Sequence, residues 1–90
     1  MCIDVYIHKT HQAFTGGQAV VKVRGNTTGE CLADLVNRHP GMKRVLFTEK
    51  GDLIGTMEIC VNNKSAYPDQ LKKQVAEGDR IRLILIIAGG

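Results

Sequence analysis

The sequence predicts an α+β domain of β-grasp architecture, a mixed sheet with one main helix packed on one face. Three observations predict it. Two alternating apolar runs flank a Gly-Gly pair near the start, one capped helical stripe follows, and the most apolar strand comes last. A strand that is apolar on both faces belongs inside a sheet. The last strand is therefore expected in the middle, parallel to the first.

Each element has its own signal. Ile3, Val5 and Ile7 alternate with Cys2, Asp4, Tyr6 and His8, the period of a half-buried strand. Residues 11–18 are polar and contain Gly16-Gly17, a turn signal. Ala19, Val21 and Val23 then alternate with Val20, Lys22 and Arg24, completing an N-terminal hairpin. Thr27-Thr28-Gly29-Glu30 has capping-box spacing, in which a threonine hydroxyl and a glutamate satisfy orphan amides at a helix start. Cys31, Leu32, Leu35 and Val36 follow on one helical face. The helix is expected to stop near His39, because Pro40 disfavours helical geometry at the residue before it.

The second half is read the same way. Val45, Leu46 and Phe47 form a buried anchor, and Lys50-Gly51-Asp52 a turn. Met57, Ile59 and Val61 alternate with Glu58, Cys60 and Asn62 in a strand. Asn62-Asn63 suits a two-residue hairpin turn, since asparagine tolerates positive φ. Residues 64–67 form a short edge strand ended by Pro68. Leu71 and Val75 belong to a short helical or irregular segment, and Gly78-Asp79 turns into the final strand, residues 80–87. On that strand Ile81, Leu83, Leu85 and Ile87 are expected toward the helix. Ile84 and Ile86 are expected on the opposite face beside Tyr6 and Cys60, as a partner-docking patch.

Composition bounds the function. Ninety residues make one domain, too small for a self-sufficient enzyme but large enough to hide about two-thirds of its open-chain surface. The domain spans 1–87, with 88–90 as a flexible tail. The charge of +3 is carried by scattered basic residues, and aromatics are 4%, so no nucleic-acid partner is expected. Three widely spaced cysteines fit a reducing compartment. Met1-Cys2-Ile3-Asp4 lacks a basic and apolar leader, and the apolar run at 83–88 is far short of a membrane span. A cytoplasmic protein without membrane contact is expected. Cys31 is expected in the core. Cys60 has no base placed near it by sequence. His8, His11 and His39 lack metal-ligand spacing, so a solvated loop is expected at His8 and His11, with no metal. Residues 50–55 lack a phosphate-loop pattern.

The chemistry concentrates at Ala88-Gly89-Gly90. Two residues without Cβ can thread a narrow channel and bring the Gly90 carboxylate to a nucleotide. This tail, together with residues 75–81 (VAEGDRI), Leu35-Val36-Asn37-Arg38-His39-Pro40-Gly41-Met42 and Val61-Asn62-Asn63, resembles the ubiquitin-like sulfur carriers. These are the small subunit of molybdopterin synthase (MoaD) and the thiazole-synthesis carrier (ThiS).

The resemblance implies a mechanism. An activating enzyme of MoeB/ThiF type would use ATP and magnesium to adenylate Gly90. A cysteine desulfurase or rhodanese-like donor would then supply sulfur, giving a Gly90 thiocarboxylate that a synthase accepts. The carrier itself would bind no cofactor and act as no enzyme. The insertion at 42–56 resembles the molybdopterin subunit, whereas Leu85-Ile86-Ile87-Ala88 is closer to the thiazole carrier. Delivery to molybdopterin is the first expectation and thiazole the second. A ubiquitin-like modifier joined to proteins through Gly90 is a third, and a binding module with an incidental Gly-Gly a fourth.

Overall fold

A computed structural model describes residues 2–86. Five strands form one mixed sheet in the order β2-β1-β5-β3-β4. They are β1 (Cys2–Tyr6), β2 (Val20–Arg24), β3 (Met57–Val61), β4 (Lys64–Ser65) and β5 (Arg80–Leu85). β5 runs parallel to β1 and antiparallel to β3, at the centre of the sheet. Helix α1 (Thr28–Arg38) contributes the buried Cys31, Leu32 and Leu35 to the core. There they join Ile3, Val5, Val21, Val23, Ile59, Ile81 and Leu83. The β-grasp architecture is as expected, and among the described residues no helix is long and apolar enough to cross a membrane.

The helix start departs slightly from the expected box. Thr27 accepts from the Glu30 N–H at 3.2 Å, as foreseen. Glu30 Oε1, however, accepts from the Asn26 N–H at 3.0 Å rather than from Thr27. The glutamate thereby holds the bend that leaves β2. At the far end the His39 N–H donates to Leu35 O, and Pro40 follows.

Three connections differ from expectation. The first hairpin is closed by a 3-10 helix, Lys9–Thr15, not by a polar loop. Buried Thr15 donates to Gln12 O, lies 2.8 Å from Gln18 O, and is followed by Gly16 at φ 65. Ala19 is exposed at the bend before β2. The edge strand β4 is only two residues long, and Tyr67 is 75% exposed beyond it. Within the insertion, Leu46 is fully buried at the end of a short helix α2 (Lys43–Leu46), with Val45 and Phe47 only partly buried. Phe47 pairs with Leu53 across the Gly51 turn.

Two turns are tied together where β5 begins. Asn62 and Asn63 both have positive φ, as the hairpin requires. Asn62 Nδ2 donates to Asp79 Oδ1 at 3.0 Å, and the Arg80 N–H donates to Asn62 Oδ1. Asp79 Oδ2 accepts from the Ala76 N–H at 2.8 Å. Those hydrogen bonds, that from Ala76 first, outweigh burial and hold the Asp79 carboxyl below its ordinary value. Its stabilising effect is therefore complete above the unfolded-state value near 3.9 and is lost as pH falls through the folded value. Asp79→Asn should cost about 1 kcal/mol in urea unfolding at pH 7. That difference should shrink below about pH 4, as wild type loses the same charge.

Candidate functional site

The alternation of β5 decides what lies on each face of the sheet. Ile81 and Leu83 are buried toward the helix, and Leu85 is half-buried. Arg80, Arg82 and Ile84 alternate with them and are exposed on the outer face. Ile84 is 39% exposed and Ile86 is 43% exposed. Ile86 lies one residue beyond β5, where its N–H donates to Thr56 O at 2.7 Å, the last backbone bond of the sheet in the described chain.

The register places the other expected docking residues. Val20, Tyr6, Arg82, Cys60 and Ser65 form one row across five strands. Ile84 lies one step further along, opposite Glu58. Tyr6 and Cys60 therefore flank Arg82, not the isoleucines. The Arg82 guanidinium sits 5.0 Å from the Tyr6 ring centroid, a cation–π contact on an open surface. Tyr6 and Ile84 border a shared shallow hollow.

Cys60 belongs to the outer row but is only 8% exposed. Burial, then the Glu58 charge, push its thiol upward, with Arg82 opposing. Both effects favour the protonated, less nucleophilic thiol. Cys31 is fully buried as expected, and burial first, then Glu30 and Asp34, push its thiol up to about 11. Arg82 is the residue that sequence reading missed. Its signal was present, since the alternation that selects Ile84 and Ile86 selects Arg82 as well.

The remaining reactive residues do not converge. His8 and His11 have ring centroids 5.9 Å apart, and His8 Nδ1 is engaged by Thr10. His11 is not on a solvated loop. It sits in the 3-10 helix with Nδ1 buried, beside Phe14, and burial followed by His8 lowers its basicity. Among the described residues no three or more His, Cys, Asp or Glu side chains are grouped to hold a metal. Ala88, Gly89 and Gly90 lie outside the described residues, as does Ile87.

Comparison with known proteins gives a consistent result. The ThiS family model matches residues 5–90, a span that includes the Ala88-Gly89-Gly90 tail. Among solved structures, the chain is similar to one in the Amycolatopsis orientalis BexX/CysO complex, at 29% identity and TM-score 0.88, covering 98% of this chain and 99% of that one. It is similar to Mycobacterium tuberculosis CysO at 26% identity and TM-score 0.86, covering 94% and 99%. Haloferax volcanii SAMP1 shares the fold at 24% identity and TM-score 0.86, with both chains covered completely. No curated protein matches the sequence.

Proposed function

We propose a function from one premise: the chain belongs to the ThiS family. It is a member of the ubiquitin-like carriers and modifiers, and we assign it the carrier role, with Gly90 as the site of chemistry. The observation that carries this reading is the family match running through Gly90 on a chain whose β5 leads directly to it. A partner of the MoeB/ThiF type joins the Gly90 carboxylate to AMP from ATP, with magnesium on the phosphates, and releases pyrophosphate. A cysteine desulfurase or rhodanese supplies sulfur as a persulfide, a thiol cleaves its S–S bond and is itself oxidised to a disulfide, and the sulfide released adds to the acyl carbon. AMP leaves with the bonding pair, and Gly90 retains a thiocarboxylate. No electron is gained or lost at carbon. The carboxylate needs this activation because its own oxygen is a poor leaving group.

The carrier contributes placement to this chemistry. Ile86 is held by Thr56 O, and four residues extend from it at a reach of no more than about 14 Å. A partner must therefore seat itself against the end of β5, where Tyr6, Ile84 and Ile86 present apolar surface. The Amycolatopsis orientalis relative is itself seen in a complex, with BexX. We assign the sulfur to a molybdopterin-type synthase on the insertion at residues 42–56, with thiazole synthase as the alternative acceptor.

The test is an intact mass after incubation with an activating enzyme, ATP, magnesium and a sulfide donor. A gain of about 16 Da, the exchange of one oxygen for sulfur, is expected. An unmodified chain with every activating enzyme tried would overturn the reading. Adding the molybdopterin synthase large subunit with its substrate, or thiazole synthase with its own, should reverse the gain in only one case. Ile86→Asp should weaken binding to the activating enzyme by about tenfold or more. Its unfolding free energy should stay within about 0.5 kcal/mol of wild type, as for an exposed position.

A further inference from the structure

The outer face sorts its side chains by chemistry along the strands. Toward the end of β5 lie Ile84 and Ile86, with Glu58 opposite Ile84, and one row back Tyr6 and Val20 share the level of Arg82. Toward its start the register sets Asp4 between Lys22 on β2 and Arg80 on β5, and Arg82 follows along the same strand. Lys22, Arg80 and Arg82 are all exposed. None of them joins an ion pair, since Arg38 with Asp34 is the only such pair among the described residues. Arg24 shares the face, but its charge bears on Asp34 and its N–H donates to that carboxylate.

Lys22 and Arg80 stand opposite Asp4 without closing an ion pair, and with Arg82 the cations outnumber the carboxylate set between them. They leave a positive field on one half of the outer face. We infer that the protein partner of this carrier meets Lys22, Arg80 and Arg82 with a cluster of carboxylates and meets Tyr6, Ile84 and Ile86 with an apolar ridge. The inference rests on the carrier reading and adds the partner's chemistry to it. Arg80 and Ile86 are about 20 Å apart along the strand. Contacts at both ends fix the rotation of the carrier as well as its position. An apolar patch alone docks in several rotations, whereas charge at one end selects the one that points the chain beyond Ile86 into the partner's nucleotide site.

The test is the rate of pyrophosphate exchange catalysed by the activating enzyme, as a function of carrier and salt concentration. Lys22→Glu with Arg80→Glu should raise the carrier KM about tenfold or more near 50 mM salt with kcat unchanged, and the difference should fall to about twofold near 0.5 M. Asp4→Asn removes the carboxylate set between Lys22 and Arg80 and should lower KM about twofold to threefold, a gain that misfolding cannot imitate. An active wild type whose KM ignores both salt and charge reversal overturns this inference alone. A wild type that supports no exchange with any activating enzyme overturns the carrier reading and this inference with it.

Discussion

Deletion of Gly89 and Gly90 is expected to abolish both pyrophosphate exchange and the mass gain of about 16 Da, while thermal unfolding stays where it is. The reasoning is positional. An activated acyl group must sit within bonding reach of its nucleophile, and a misplacement of about 1 Å can already cost about a hundredfold. Removing two residues withdraws the new terminal carboxylate by about 7 Å from where a seated partner expects it. The fold should not notice, because the last sheet bond in the described chain is that of Ile86 to Thr56. Gly90→Ala is the gentler companion. It keeps chain length and carboxylate but adds a Cβ, and a narrow channel should reduce exchange by about tenfold or more without loss of carrier binding. Full exchange in the deletion variant would place the chemistry elsewhere in the chain.

The second large effect concerns stability. Ile81→Ala should cost about 2–5 kcal/mol, a large share of the roughly 5–15 kcal/mol available to a small domain. Ile81 is fully buried, pairs with Val5 on β1 and Val61 on β3, and so touches the sheet on both sides of its centre. Truncating it leaves a void in the layer shared with α1 that central strands cannot collapse to fill. Ile84→Ala, three residues on and 39% exposed, should cost less than about 1 kcal/mol. Urea unfolding of the two variants checks both values. A smaller loss at Ile81 than at Ile84 would mean that the two faces of β5 are exchanged.

That comparison also shows why much of the fold could be read from the chain. Strand alternation and helical spacing are local patterns, and burial at Ile3, Val5, Val21, Val23, Leu32, Leu35, Ile59 and Ile81 follows them. The same alternation found the outward Ile84 and Ile86. What it could not give depends on neighbours distant in sequence. Cys60 alternates like a surface residue, yet in the row between Arg82 and Ser65 it is only 8% exposed. The 3-10 helix Lys9–Thr15 has no apolar period, and the hydroxyl of Thr15 and the left-handed Gly16 close it locally. The bonds between Asn62 and Asp79 join turns 17 residues apart, although Gly78-Asp79 and Asn62-Asn63 were each legible as turns. The residues proposed for docking were half legible: periodicity supplied the face, and only the register supplied the row.

The pairing of β1 with β5 has a consequence for how the chain reaches its fold. The first strand made is completed by the last, so the central contact of the sheet has nearly the longest loop the described chain allows. Such high contact order slows folding, because the entropy of closing the loop is spent before the pairing rewards it. During synthesis β1 and β3 each wait with an unpaired edge until residues 80–85 emerge, a period in which the nascent chain is open to aggregation and proteolysis. A chain cut at residue 79 should accordingly show little protection in hydrogen exchange, even though it retains α1 and both hairpins. The strand from which the proposed reactive tail continues is thus also the one that closes the fold, and on the carrier reading a chain that fails to fold does not place that tail.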